Sequence, residues 1–235
     1  MIKTVILAGG LGTRISEETK KIPKPMVKIG NLPIIHHIIK IYESYGYNEF
    51  IICGGYKFQS IKYYFKKIKT KSNIIVVNTG QKTETGGRVL KIKKYLKKDK
   101  KFFLTYGDGL ANINIQKLEN FHDKNKKILT LSAVKPKIKY GIVKFSKKNF
   151  STITKFEEKP KEHYVSGGFF VISKEIFKYL KNDKSILEFD CLPKLAKKNK
   201  IAGFKHKGFW HSLDTMKDKI NLNKIWNKGN APWKD

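Results

Sequence analysis

Short apolar runs alternate with segments in which apolar residues recur every three or four positions along the first 135 residues. The runs are typical of buried parallel strands, and the longer segments are typical of amphipathic helices. Strands are predicted over Lys3–Ala8, Glu49–Cys53, Asn73–Asn78, Phe102–Tyr106 and Leu129–Val134. Helices are predicted between them, over Ile34–Tyr45, Phe58–Lys67, Arg88–Lys97 and Ile115–Lys124. This alternation favours a Rossmann-like α/β fold with a mainly parallel sheet flanked by helices.

The pattern changes after residue 135. Shorter strands are predicted as a mixed extension of the sheet, over Ile142–Phe145, Ile153–Glu157 and Gly168–Ile172. The remaining predicted elements are two helices, a late strand and a closing helix: about Lys174–Lys181, Leu187–Lys198, Ile201–His206 and Thr215–Asn227. Short loops join all of these segments, and no repeat or low-complexity linker separates them. We therefore predict a single domain over residues 1–235.

Length and cysteine content narrow the class of protein. A chain of 235 residues with 40% hydrophobic content can bury one sizeable core. Cys53 and Cys191 lie far apart without metal-like spacing, which favours buried thiols in a reducing compartment. The first apolar run ends at Ala8, too early for a signal peptide, and no apolar stretch approaches the length of a membrane span. We expect a cytoplasmic protein with no membrane partner.

The net charge of +31 raises nucleic-acid binding as an alternative function. The basic residues are nearly all lysines, scattered in pairs where helices should face water, and the arginines are Arg14 and Arg88. Base readout and phosphate clamping usually favour arginine for its planar set of donors. We therefore expect no specific nucleic-acid partner, and a special role for each arginine.

A glycine-rich turn follows the first predicted strand. The segment reads Leu-Ala-Gly-Gly-Leu-Gly-Thr-Arg over residues 7–14, and Pro-Lys-Pro-Met follows over residues 23–26. Gly9, Gly10 and Gly12 permit positive φ and let backbone N–H groups approach an anion. Arg14 and Lys24 supply charge for a polyphosphate. The alternative is an ordinary strand-to-helix turn with two solvated cations.

Two further segments follow predicted strands. Asp108 stands between glycines in Thr-Tyr-Gly-Asp-Gly, beyond the carboxyl end of a strand, where ligands of open α/β sheets bind. A carboxylate there suits Mg²⁺, although an Asp-Gly turn is also common. The loop from Gly80 to Arg88 ends in Thr-Gly-Gly-Arg. It is either a helix start capped by Thr85 or a cover over a nucleobase, and an arginine donor suits the O2 and N3 acceptors of cytosine better than uracil.

Together these strings resemble the sugar-phosphate nucleotidyltransferases, which move a nucleoside monophosphate from a nucleoside triphosphate onto a phosphorylated acceptor. The resemblance extends over nearly the whole chain and is greatest to the glucose-1-phosphate cytidylyltransferase branch. Further strings that carry it are Glu-Lys-Pro-Lys (158–161), Gly-Gly-Phe-Phe-Val (167–171) and Ala-Pro-Trp-Lys (231–234). It implies a glycosyltransferase-A-like core, with a nucleotide-binding half over residues 1–135 and an acceptor-binding half over residues 136–235.

The resemblance also implies a role for particular residues, with CTP as co-substrate. Asp108 and Asp214 would share Mg²⁺, although Asp214 could instead cap the last helix. The implied catalytic residues are Arg14, Lys24, Asp108, Lys159 and Asp214. The implied nucleotide-binding residues are Leu7, Ala8, Gly9, Gly10, Gly12, Thr13, Thr85, Gly86, Arg88 and Gly107. The implied acceptor-binding residues are Tyr140, Gly141, Glu158, Lys159 and Gly168.

This chain departs from the family pattern in two regions. The segment between Phe65 and Asn73 is shorter than in the family, where it is associated with subunit contacts, so we expect a homo-oligomer of undefined order. Lys139, Ser166 and the segment 211–213 differ around the implied acceptor pocket, while the nucleotide motifs are intact. The acceptor is therefore either a sugar 1-phosphate such as glucose 1-phosphate, or another phosphorylated group used in surface-polysaccharide modification. A silent regulatory subunit is a third hypothesis, which the complete set of implied catalytic residues disfavours.

Overall fold

The computed structural model describes residues 2–136, 141–158 and 163–234. The strands of this part are β1 (Thr4–Ala8), β2 (Lys28–Ile29), β3 (Leu32–Pro33), β4 (Glu49–Gly54), β5 (Asn73–Asn78), β6 (Lys101–Tyr106), β7 (Gly109–Ala111), β8 (Leu129–Val134), β9 (Ile142–Phe145), β10 (Ile153–Glu157), β11 (Val165–Ser173), β12 (Ile201–His206) and β13 (Trp210–Ser212). The α-helices are α1 (Ser16–Thr19), α2 (Ile34–Glu43), α3 (Phe58–Lys67), α4 (Thr85–Lys91), α5 (Ile115–Asn125), α6 (Leu192–Lys197) and α7 (Met216–Asn227).

Seven strands form one central sheet in the order β12-β8-β11-β6-β1-β4-β5. All neighbours are parallel except β11, which is antiparallel to both β6 and β8. From β1 the chain adds β4 and β5 on one side and then crosses to β6 on the other. The strand order therefore reverses at β1, and a crevice at the carboxyl ends of β1 and β6 is the expected binding site of such a sheet.

Alternation along β1 explains how the sheet acquires two hydrophobic faces. Val5 and Leu7 face one layer, whereas Ile6 and Ala8 face the other, because successive side chains of a strand point to opposite sides. Apolar residues of α2, α3, α5 and α7 cover the Ile6 side, and those of α4 and α6 cover the Val5 side. The sheet is thus buried on both faces, as its unbroken apolar strands require.

The predicted fold class is confirmed: a mixed, mainly parallel sheet lies between two helical layers. Several predicted bounds agree with the structure residue for residue, among them those of α3, β5, β8 and β12. Only residues 68–72 link α3 to β5, so the short connection inferred from the sequence is a tight loop.

Four predictions about the other elements were wrong in detail. Helix α4 begins at Thr85, before Arg88, and ends at Lys91, where a 3₁₀ turn over Lys93–Leu96 takes over. The predicted helix from Lys174 is a 3₁₀ segment, and that from Leu187 starts with a π-helical turn over Leu187–Cys191. Strand β11 lies inside the central sheet, whereas β9 and β10 form a separate hairpin.

Small two-stranded ribbons complete the architecture. Strands β7 and β13 pair antiparallel beside the carboxyl end of β6, and β2 pairs with β3. Within the described ranges, no helix combines the length and the apolar character that are needed to cross a membrane.

Candidate active site

A cleft of about 710 Å³ opens at the carboxyl ends of β1 and β6. It lies where the strand order reverses, which is the position expected for a ligand site in this architecture. The glycine-rich turn forms one wall, the loop before α4 forms another, and the segment after β6 forms the floor. The lining residues are those at positions 7–14, 24, 25, 81–85, 88 and 106–108.

The glycine-rich turn uses its glycines for different purposes. Of its glycines, Gly12 has a positive φ, of 67°, and it precedes a 3₁₀ turn over Thr13–Ile15. Gly9 instead makes room for Arg88, since a Cβ there would lie 2.1 Å from the Nη1 atom. Gly10 faces open space. The expectation that all these glycines serve positive φ or anion approach is therefore too simple, because close packing requires one of them.

Lys24 joins the two aspartates that the sequence implied as metal ligands. Its Nζ lies 2.7 Å from Asp108 Oδ2 and 2.9 Å from Asp214 Oδ1, and Arg14 Nη2 lies 3.0 Å from the same Asp214 oxygen. Lys24 is 8% exposed, whereas the Arg14 side chain is open to solvent. Both carboxylates thus converge on one cationic centre.

That donor set fits Mg²⁺, which commonly takes one or two carboxylates and completes its octahedron with phosphate oxygens and water. Asp108 Oδ2 and Asp214 Oδ1 both contact Lys24 Nζ, so the two carboxylates face the same point in the site. Among the residues that the structure describes, no group of three or more His, Cys, Asp or Glu side chains could hold a metal by itself. A metal ion held by Asp108 and Asp214 would therefore need the bound substrates to supply its remaining ligands.

The ribbon of β7 and β13 brings the two aspartates together from distant parts of the sequence. Gly109 pairs with Ser212, so the residue after Asp108 lies opposite one that precedes Asp214. The N–H of Leu213 donates to the carbonyl of Asp108 at 2.8 Å, which fixes the two backbones side by side. This pairing is what makes one site of two separate motifs.

Asp214 is held in its ionised form. Burial opposes ionisation, but hydrogen bonds from Ser212 and Lys24 and the charges of Lys24 and Arg14 outweigh it, so the pKa of Asp214 is lowered. The Ser212 hydroxyl donates to Asp214 Oδ2 at 2.7 Å, opposite the oxygen that contacts both cations. Each carboxylate oxygen therefore has its own partner.

Asp214 does not cap α7, contrary to the alternative considered for it. Thr215 is the N-cap and forms a capping box with Asp218. Asp218 Oδ2 also accepts the backbone N–H of Asp214 at 3.1 Å, and His211 Nε2 lies 3.0 Å from Asp218 Oδ1. The helix start thereby fixes the backbone of Asp214, while its side chain contacts Lys24, Arg14 and Ser212.

Arg88 lines the cleft but directs its donors into the protein. The guanidinium donates to the carbonyls of Gly9 and Gly80 and to the Thr79 hydroxyl, at 2.7–3.0 Å. It is 4% exposed, and burial is the main cause of its lowered pKa. These bonds tie the glycine-rich turn to the loop before α4. That Arg88 also donates to a cytosine base stays a prediction.

Thr85 and Gly86, which the sequence also implied as nucleotide-binding residues, lie on different sides of α4. Thr85 is the first residue of the helix rather than its cap, and it lines the cleft. Gly86 lies away from the cleft, where a Cβ would come within 2.8 Å of the Ser185 carbonyl. Its missing side chain lets the start of α4 pack against the segment before the π-helical turn.

Of the implied acceptor residues, Gly168 lies beyond Asp108. A smaller cavity of about 60 Å³ is lined there by Tyr106, Asp108, Ser166, Gly168, Trp210 and Ser212, among others. Gly168 has a φ of 79°, and a Cβ there would lie 2.7 Å from the Tyr106 ring. Gly141 and Glu158 are neighbours, since a Cβ on Gly141 would lie 3.0 Å from Glu158 Oε2. Tyr140, Lys139 and Lys159 lie outside the described residues.

Sequence reasoning assigned no role to Tyr106 or Glu188. Tyr106 lines both cavities, and its hydroxyl donates to Glu188 Oε1. Burial and the nearby Glu188 raise the pKa of Tyr106, so the phenol stays protonated. Tyr106 stands inside the Thr-Tyr-Gly-Asp-Gly string and could have been found from it. Glu188 carried no signal, because it looked like an ordinary polar position of a predicted helix.

Comparison with known proteins defines the class. A model of the nucleotidyl transferase family matches residues 3–228, and the chain belongs to this family. The chain is 39% identical over 258 aligned positions to a glucose-1-phosphate cytidylyltransferase of Salmonella typhimurium, covering 99% of both chains. It is 39% identical over 255 positions to a probable glucose-1-phosphate cytidylyltransferase of Bacillus subtilis, again covering 99% of both.

Solved structures show the same architecture. HddC from Yersinia pseudotuberculosis, complexed with GMP-PN, superposes with a TM-score of 0.76 at 25% identity, covering 96% of this chain and 100% of that one. A UDP-glucose pyrophosphorylase complexed with UDP-glucose superposes with a TM-score of 0.75 at 20% identity, covering 97% and 100%. The latter similarity concerns the fold alone.

Proposed function

We propose that this protein is a cytidylyltransferase that transfers CMP from CTP to a sugar 1-phosphate, with glucose 1-phosphate as the first candidate, and releases pyrophosphate. The observation that carries the proposal is the convergence of Lys24, Asp108 and Asp214 at one end of the cleft, beside the glycine-rich turn. The near full-length similarity to cytidylyltransferases selects CTP among the nucleotides.

The reaction that these residues support is an in-line displacement. A phosphate oxygen of the acceptor attacks the α-phosphorus of CTP, and pyrophosphate leaves. That oxygen is already anionic, so no general base is needed, and catalysis consists of positioning and charge stabilisation. Arg14 and the N–H groups of the turn hold the leaving phosphates, and Lys24 lies between them and the acceptor phosphate. By family resemblance, Lys159 orients the acceptor phosphate.

Asp108 and Asp214 are the residues that would hold Mg²⁺. Such an ion, when bound, offsets negative charge on the phosphates of the nucleotide. Lys24 contacts the same two carboxylates and also lines the cleft, so its ammonium would add positive charge beside the bound phosphates. The role of Lys24 is thus to supply positive charge at the point where the nucleophile and the nucleotide meet.

A different phosphorylated acceptor is the second candidate, and a specific observation favours it. Ser166 and Ser212, which differ from the family pattern, both line the small cavity beyond Asp108. Side chains that change the polarity of a substrate pocket change which hydroxyl groups it accepts, because unpaired buried polar groups are costly. The nucleotide half of the proposal would then hold while the sugar differs.

The test is pyrophosphate release from CTP and Mg²⁺ with a panel of phosphorylated acceptors, glucose 1-phosphate first. We expect turnover with a sugar 1-phosphate, and a strong preference for CTP over UTP and ATP. Turnover only with another phosphorylated acceptor would keep CTP as the nucleotide and change the acceptor in the proposal. Failure to bind CTP at all would overturn the proposal. For variants of the active-site aspartates, Asp123→Asn serves as a matched control, since Asp123 is an exposed carboxylate that pairs with Lys101 far from the cleft.

We also propose a cytoplasmic location and a homo-oligomer. Two free, buried cysteines, Cys53 and Cys191, support a reducing compartment. Light scattering coupled to size-exclusion chromatography would give the number of subunits.

A further inference from the structure

Tyr106 stands between the two cavities of the active site. It lines the larger cleft together with Thr85, and the smaller cavity together with Gly168 and Ser166. Its ring packs edge-on against Phe170, with centroids 5.7 Å apart, and lies against Gly168. The position of this one ring therefore shapes the walls on both sides.

Glu188 holds the hydroxyl groups of both Tyr106 and Thr85. Its Oε1 accepts from the Tyr106 hydroxyl, and its Oε2 accepts from Thr85 Oγ1 at 2.6 Å. The N–H of Leu187 donates back to Thr85 Oγ1 at 2.9 Å, so the threonine is held twice. Glu188 itself is among the lining residues of neither cavity.

The π-helical turn over Leu187–Cys191 holds the backbone of Glu188 in place. Leu187 and Cys191 are fully buried, and Asp190 Oδ2 accepts the N–H of Ile186 at 2.7 Å, which closes the turn. Single π-helical turns are frequent at functional sites. Here the turn directs a carboxylate at the junction of β6 and α4.

We propose that Glu188 is a positioning residue that sets the walls of the nucleotide and acceptor halves of the cleft together, through Thr85 and Tyr106. The inference rests on the proposed function for its kinetic consequences. The carboxylate accepts from both hydroxyls at once because it has two acceptor oxygens. A glutamine amide has one acceptor oxygen and would replace one of these charge-assisted bonds by a neutral one of opposite direction. Charge-assisted bonds of this kind are stronger than neutral ones.

The experiment compares Glu188→Gln with Glu175→Gln, a matched removal of one negative charge at an exposed position outside the site. We expect E188Q to lower kcat about tenfold and to raise both the Kd for CTP and the KM for the acceptor, as the loss of one charged hydrogen bond would. E175Q should keep all of these within about twofold. The melting temperature of each variant is measured in parallel.

Variants of Thr85 and Tyr106 distinguish the nucleotide half of the cleft from the acceptor half. Thr85→Val should weaken CTP binding and leave the acceptor KM nearly unchanged, because Thr85 lines only the larger cleft. Tyr106→Phe should affect both substrates, and the double variant E188Q/Y106F should be no worse than E188Q alone. If E188Q does not fold, T85V and Y106F still test the division between the two substrates.

Kinetic constants of E188Q equal to those of E175Q would overturn the inference. So would full additivity of E188Q and Y106F, or a loss of activity that only mirrors a loss of folded protein. Failure of the proposed function is recognised separately, by absence of turnover in the unmodified protein. In that case equilibrium binding across CTP, UTP, ATP and GTP decides the inference, and equal affinities of E188Q and E175Q would refute it.

Discussion

Lys24 is the residue on which the charge balance of the site depends. Its buried ammonium contacts Asp108 and Asp214 at once, and Arg14 adds a second positive charge to Asp214. Partly buried charges are screened less than surface pairs, so these contacts matter more than an exposed salt bridge of the same length. Lys24 and Arg14 together therefore balance the two carboxylate charges in the substrate-free protein.

Replacement of Asp108 by asparagine tests the role of this pair. We expect Asp108→Asn to reduce kcat/KM by about 10²-fold or more, since a bound metal contributes several kcal/mol to the transition state. Steady-state kinetics with varied Mg²⁺ measure this, beside Asp123→Asn as the control. Near-normal turnover with an unchanged Mg²⁺ requirement would contradict the assignment of Asp108 as a metal ligand.

The arginines show how far residue-level reasoning reaches. Arg14 and Arg88 both line the cleft. The special role that the contrast between Arg and Lys usage suggests for each of them stays a prediction. That contrast could not show that Arg88 would be satisfied by Gly9, Thr79 and Gly80, because these partners meet only in the folded sheet. A motif indicates that a planar donor is needed, and the fold determines which acceptors receive it.

Among the elements, the β7–β13 ribbon and the start of α7 place Asp214. The ribbon sets its distance from Asp108, and the capping box fixes its backbone. Strands with unbroken apolar runs were predictable because both faces of the sheet are buried. The start of α4 was not, since Gly86 and Gly87 disfavour a helix and are accepted only because Ser185 and Asp183 pack against them.

The capping box provides a test at this scale. Thr215→Ala should lower the free energy of unfolding by about 1 kcal/mol, because it removes the side-chain acceptor for the Asp218 N–H and a donor to the Asp218 carboxylate. Urea unfolding measures the change, and Lys217→Ala, at an exposed position of the same helix, is the control. An unchanged unfolding midpoint would show that the box is not needed to hold the helix start.

At the scale of the whole molecule, the predicted fold class is confirmed and the single-domain organisation stays a prediction. One sheet draws strands from both halves of the chain, since β1, β4, β5, β6 and β8 precede residue 135 and β11 and β12 follow it. The site roles implied by resemblance stay predictions as well, although the fold brings Arg14, Lys24, Asp108 and Asp214 together. The link through Glu188 had no sequence signal, because it depends on three elements meeting.

Buried histidines predict how stability varies with pH. Burial lowers the pKa of His36, His37 and His122 below the ordinary value of 6.5. The unfolded chain therefore binds protons first as the pH falls, so the free energy of unfolding should decrease from about pH 7 towards pH 5. His122→Gln should make the free energy of unfolding depend less steeply on pH in this range. The free energy of unfolding at pH 8 should change less than the slope does. A slope identical to that of the unmodified protein would contradict the contribution of His122.

The contact between Lys24 and the two aspartates also bears on how the molecule folds. Small domains whose fold depends on a bound metal unfold when the metal is chelated. This chain carries an internal counter-ion, so folding and metal loading should be independent events. A chelator should then leave the melting temperature of the substrate-free protein unchanged, and the newly made chain can reach its native state wherever magnesium is scarce.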